Sequence, residues 1–129
     1  MFVEALAREA ARQDIVLLEN RNFLPLDLAS GMWRVAVIGP SANATKNVLG
    51  DYSPTPPYVV TPLDALSEIV PGKNILFAPG CNDVSCTNQS FFPAAVQAAK
   101  NADVAILFMG TNIDYESEGI LAKHANTAN

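Results

Sequence analysis

Three short apolar runs, each stopped by glycine or proline, constrain this chain more than anything else in it. Val35-Ala-Val-Ile38 halts at Gly39-Pro40, Asn74-Ile-Leu-Phe-Ala78 at Pro79-Gly80, and Asp103-Val-Ala-Ile-Leu-Phe-Met109 at Gly110. Such runs, closed by turn residues, predict strands, and the first reads as buried on both faces of a sheet. Helical patterns separate them. The first 19 residues carry Val3, Ala7, Ala11, Ile15 and Leu18 at helical spacing, until Asn20-Arg-Asn22 and Pro25 break the pattern. After a proline-rich loop over 41–58, Thr61-Pro62 opens a second helix, with Thr61 as N-cap and Asp64 in the first turn. Leu63, Leu66, Ile69 and Val70 form its expected buried face, and Pro71-Gly72 ends it. A third helix runs from a Ser90 cap to Asn101. Strands alternating with helices predict an α/β fold: a parallel sheet with helices on its faces, an α/β sandwich of flavodoxin-like type. Three strands are few for that architecture, so the sheet is expected to be partial and the domain truncated, with residues 1–119 as the domain and 120–129 as an unpatterned tail.

Composition narrows the function. Of 129 residues, 50% are hydrophobic, enough for a packed core. The net charge of −5 and the lack of any basic run argue against nucleic acid as a partner. No apolar stretch approaches the roughly 20 residues of a membrane span. Glu4, Arg8, Glu9 and Arg12 interrupt any hydrophobic leader, so no signal peptide is read in this chain. The tripeptides Asn43-Ala-Thr45 and Asn88-Gln-Ser90 fit the N-glycosylation pattern, and Cys81 and Cys86 lie close together. Together they point to an extracellular or secretory destination for a longer parent.

Chemistry in such sheets gathers at the carboxyl ends of the strands, where the loops after Ile38, Ala78 and Met109 emerge. Asp114, Glu116 and Glu118 alternate after the third strand and would point to one side in extended backbone. Glycoside hydrolysis needs two carboxyl groups, one of them a general acid. Acidic loop residues are ordinarily just solvated, so spacing alone does not assign the role. The cluster lacks calcium-loop spacing, and no metal site is expected. Gly39-Pro40-Ser41-Ala42 stands where a dinucleotide fingerprint would, but it has one glycine, and Pro40 removes a donor. A flavin- or nucleotide-binding reading is therefore weak. Cys81 and Cys86 admit a disulfide, a metal site or free thiols; with one His in the chain, zinc lacks ligands. A disulfide is favoured, conditional on export. His124 lies in the tail, which leaves no Ser-His-Asp arrangement. Trp33 is a candidate for stacking on a sugar, with packing at the sheet as the alternative.

The ordered set Ala7-Arg-Glu-Ala-Ala11, Ile15-Val-Leu-Leu18, Leu24-Pro-Leu26 and Val35-Ala-Val-Ile-Gly-Pro40 resembles the second domain of glycoside hydrolase family 3. Leu49-Gly-Asp-Tyr52, Thr61-Pro-Leu63, Ala78-Pro-Gly-Cys81, Ala94-Ala-Val96, Ala99-Lys-Asn-Ala-Asp103 and Glu116-Ser-Glu-Gly119 continue it. The cysteine pair and Gly50-Asp-Tyr52 resemble the β-xylosidase and arabinofuranosidase branch. This resemblance implies a retaining exo-glycosidase acting on oligosaccharides or glycosides without a metal or organic cofactor. It implies that Glu118, second glutamate of a Glu-x-Glu-Gly loop, is the acid/base, and that Glu116 shapes the sugar subsite. It also implies a preceding barrel domain, absent here, that supplies an aspartate nucleophile, so the isolated chain is expected to be inactive. The family's usual Asp-Arg pair after the loop is replaced by Ile120-Leu-Ala-Lys-His-Ala-Asn-Thr-Ala-Asn129. A non-catalytic sugar-binding or accessory module is the alternative expectation.

Overall fold

The computed structural model describes residues 2–28, 33–46, 49, 54–112 and 114–116. In chain order the elements are α1 (Phe2–Asp14), β1 (Val35–Ile38), α2 (Pro62–Ile69), β2 (Ile75–Ala78), α3 (Phe92–Lys100) and β3 (Val104–Leu107). Short 3-10 turns at Gly72–Asn74 and Gln89–Phe91 lead into β2 and α3. The three strands form one parallel sheet in the order β2-β1-β3. Val35 pairs with Ile75 on one side and Val104 on the other, and Ile38 pairs with Ala78 and Leu107. All three strands therefore end at one edge.

β1 is central, and all four of its residues are buried, as its unbroken apolar run predicts. Alternate residues feed opposite faces. Val35 and Val37 join Ala42, Val70 and Val104 in a core on which Leu63 and Leu66 of α2 pack. On the other face, Gly80 brings the backbone close to Ile38 and to Ala95 of α3. Trp33 packs against the α2-side core, which favours its packing role over sugar stacking. β3 departs from its uniform hydrophobicity: Val104 is buried, but Leu107 is 61% exposed. With β1 on one side and no strand beyond it among the described residues, β3 is an edge strand.

The helices correct three sequence expectations. α1 ends at Asp14, not near residue 19. Ile15 and Val16, β-branched and poor helix formers, lie beyond it, and Ile15 and Leu18 are 78% and 92% exposed, so the expected stripe meets no core. On α2, Ile69 is 52% exposed, and Val70, just past the helix end, is buried instead. Before α3 the capping side chain belongs to Asn88: its Oδ1 accepts from the Ser90 backbone N–H at 2.9 Å, so Ser90 is capped and does not cap. α2 does start as expected. The Thr61 hydroxyl oxygen accepts from the Asp64 N–H at 3.1 Å, and Asp64 Oδ2 accepts from the Thr61 N–H at 3.0 Å, a reciprocal capping box. Those bonds to the Thr61 backbone and hydroxyl hold the Asp64 carboxyl below its ordinary range. Because Thr61 is itself buried, Thr61→Ala should cost about 1–2 kcal/mol and lower the thermal midpoint by several degrees in a calorimetric scan.

Candidate active site

The strand ends are stitched together by backbone hydrogen bonds that depend on one glycine. Gly39 donates to the Ala78 carbonyl at 3.3 Å, Phe108 donates to Ile38 O at 2.7 Å, and Ser41 donates to Phe108 O at 3.3 Å. Gly39 turns at φ +127°, and a Cβ there would lie 2.2 Å from Phe108 O. Only glycine permits this backbone conformation and this approach. The chain then turns back: Ala42 donates to Gly39 O at 3.2 Å, and Leu63 of α2 donates to Ala42 O at 2.9 Å.

This arrangement leaves a polar cleft of about 410 Å³ at the carboxyl edge of the sheet. The loop after β1 contributes Pro40, Asn43 and Lys46 among others, the loop after β2 contributes Asn82 and Asp83, and the loop after β3 contributes Asn112 and Asp114. Amide and charged groups converging on a concave surface can hydrogen-bond a ligand rich in hydroxyl groups.

The segment after β3 corrects the reading of alternating carboxylates. Asn112 Oδ1 accepts from the Asp114 N–H, and its carbonyl accepts from Tyr115 and Glu116, all at 3.0 Å. Asp114, Tyr115 and Glu116 are therefore held in a turn by the side chain and carbonyl of Asn112, and the spacing of Asp114 and Glu116 does not report extended backbone. Asp114 lines the cleft, while Glu116 is half-buried just beyond it. Glu118 lies outside the described residues, as does His124.

Cys81 and Cys86 are joined by a disulfide. Inside that loop, Asp83 Oδ1 accepts from the Ser85 hydroxyl, from the Ser85 N–H at 2.9 Å and from the Cys86 N–H at 3.2 Å. The Ser85 hydroxyl contributes most to holding the Asp83 carboxyl below its usual range, against a smaller opposing effect of burial. Asp83 is thus an ionised acceptor at neutral pH and no proton donor. Asn88 stands exposed on the loop before α3, whereas Asn43 belongs to the cleft wall. Among the described residues, no three His, Cys, Asp or Glu side chains are grouped to hold a metal ion.

Lys46, Asn82, Asp83 and Asn112 are not singled out by sequence pattern. The available signal is their position: each follows a strand-ending Gly or Pro by a few residues.

Residues 15–128 match the Glycosyl hydrolase family 3 C-terminal domain. The chain belongs to glycoside hydrolase family 3. It is 44% identical over 118 residues to a beta-xylosidase/alpha-L-arabinofuranosidase 1 from Medicago sativa subsp. varia, covering 91% of this chain and 15% of that protein. A probable beta-D-xylosidase 7 from Arabidopsis thaliana is 45% identical over 116 residues, covering 89% of this chain and 15% of that one. In three dimensions the chain resembles a GH3 exo-beta-xylosidase (XlnD) in complex with a xylobiose aziridine activity-based probe. That match has a TM-score of 0.70 at 36% identity, over 85% of this chain and 14% of the other. The chain thus spans about one-seventh of the length of these relatives, and its α/β architecture is that of the family's C-terminal domain.

Proposed function

We propose that this chain is the domain of a β-xylosidase-like retaining exo-glycosidase that contributes the acid/base, Glu118, to a site shared with a preceding barrel domain. The observation that supports this reading is the polar cleft at the carboxyl edge, lined by Asn112 and Asp114, which precede Glu118 in the loop after β3. Glu116 shapes the sugar subsite on the same segment. Residues 1–119 are the domain's working part. The nucleophile comes from the barrel, about 5–5.5 Å from the acid/base in a retaining enzyme. Without it the isolated chain does not turn over glycosides. Export of the parent is part of this reading, and it would present Asn88 to glycosylation and keep Cys81–Cys86 oxidised, whereas a glycan on Asn43 would fill the cleft, so that sequon stays unmodified.

The test is a chimaera in which this chain replaces the matched 118-residue stretch of the Medicago relative. The chimaera should hydrolyse an aryl β-xyloside, and the purified 129-residue chain should not. An inactive, folded chimaera contradicts the proposal, as does turnover by the isolated chain that Glu118→Gln abolishes.

A further inference from the structure

The turn between Cys81 and Cys86 is fixed from several directions. The disulfide closes it, Cys81 is buried, and Cys81 donates to Pro79 O at 2.7 Å. Cys86 adopts φ +51°, a left-handed conformation that a non-glycine residue holds only when its surroundings impose it. Asp83 supplies much of that imposition through its bonds to Ser85 and Cys86. Its second oxygen, Oδ2, accepts from the Asn82 side-chain amide at 2.9 Å. An asparagine that gives its N–H inward in this way presents its carbonyl oxygen as an acceptor. Asn82 and Asp83 both line the strand-end cleft, together with Lys46 from the loop after β1 and Asn112 from the loop after β3.

We propose that Asp83 is a positioning residue: within the disulfide-closed turn it orients Asn82 as the acceptor for a sugar hydroxyl of the bound glycoside. This rests on the glycosidase reading of the cleft. Asp83 itself touches no reacting atom. The Asn82 contact holds part of the sugar whose bonds do not change, so it stabilises ground and transition states alike. Its loss raises KM and leaves kcat in place. An asparagine at position 83 has nearly the size of aspartate but replaces one acceptor oxygen by an N–H donor, setting donor against donor at Asn82 or Ser85.

The experiment measures xylobiose kinetics with the full chain carried in the chimaera, with thermal midpoints recorded alongside. Asp83→Asn should raise KM about tenfold, the loss expected for one hydrogen bond, with kcat within about twofold. Asn82→Ala should do the same, and the double variant should be no worse than either single one, because both remove one interaction. Should Asp83→Asn fail to fold, Ser85→Ala, which removes one of the groups holding Asp83, should raise KM about threefold and show the same non-additivity with Asn82→Ala. Unchanged KM in these variants, or fully additive losses, overturns the proposal while leaving the glycosidase reading intact. A folded chimaera with no xylosidase activity sinks both.

Discussion

Gly39→Ala should leave this chain without a cooperative unfolding transition. The added methyl group would sit 2.2 Å from Phe108 O and 2.8 Å from Phe108 C, both backbone atoms that cannot rotate aside. Relief requires moving β3 away from β1. That movement breaks the Phe108-to-Ile38 and Ser41-to-Phe108 hydrogen bonds that close the strand ends. Alanine is also strained at φ +127°, whatever space is made for it. Together these effects should exceed about 4 kcal/mol, within reach of the whole stability of a small domain. Gly72→Ala is the matched control. Nothing lies within 4 Å of its Cβ position, and it should move the midpoint by about 0.5 kcal/mol or less. Thermal and urea unfolding followed by circular dichroism distinguish the two. A Gly39→Ala chain that melts within about 2 °C of the parent would show that the strand ends are not packed as described.

The elements that could be read from sequence are those whose residues act locally. The Val35–Ile38 side chains have no polar atom to offer water, and the sheet pairs their backbone on both sides, so burial at the sheet centre follows from the composition. Thr61, Pro62 and Asp64 carry the start of α2 within four residues. Local side-chain chemistry competes with these patterns at two places. Asn88 precedes Ser90 and captures its N–H, capping a short 3-10 turn, and α3 itself begins at Phe92 without a side-chain cap. Asn112 holds Asp114 and Glu116 in a turn, so these two charges, which look extended, are not. The cleft wall is a different case. Lys46, Asn82 and Asn112 meet only because the strand order β2-β1-β3 brings three loops to one edge, and no local pattern encodes that meeting. Glu118 entered through resemblance to the family's Glu-x-Glu-Gly loop; its spacing from Asp114 and Glu116 alone would have left it among ordinary solvated acids.

The central claim is that Glu118 delivers a proton to a departing sugar, and Glu118→Gln in the chimaera addresses it. Glutamine keeps the size and hydrogen-bonding reach of glutamate but has no acidic proton to transfer, so binding should survive while leaving-group protonation is lost. General acid catalysis is worth about 10²–10⁴ in rate, or roughly 3–5 kcal/mol of transition-state stabilisation. The loss depends on the substrate. A sugar alkoxide departs poorly without a proton, whereas a dinitrophenolate departs as the anion. The decisive measurement is therefore kcat/KM for xylobiose and for dinitrophenyl β-xyloside, in parent and variant, since that ratio reports the step in which the glycosidic bond breaks. The account predicts a fall of about 10²–10⁴ for xylobiose and less than about tenfold for the dinitrophenyl substrate. Equal losses on both substrates, or no loss on xylobiose, would mean that the proton comes from elsewhere and that this domain only helps to hold the sugar.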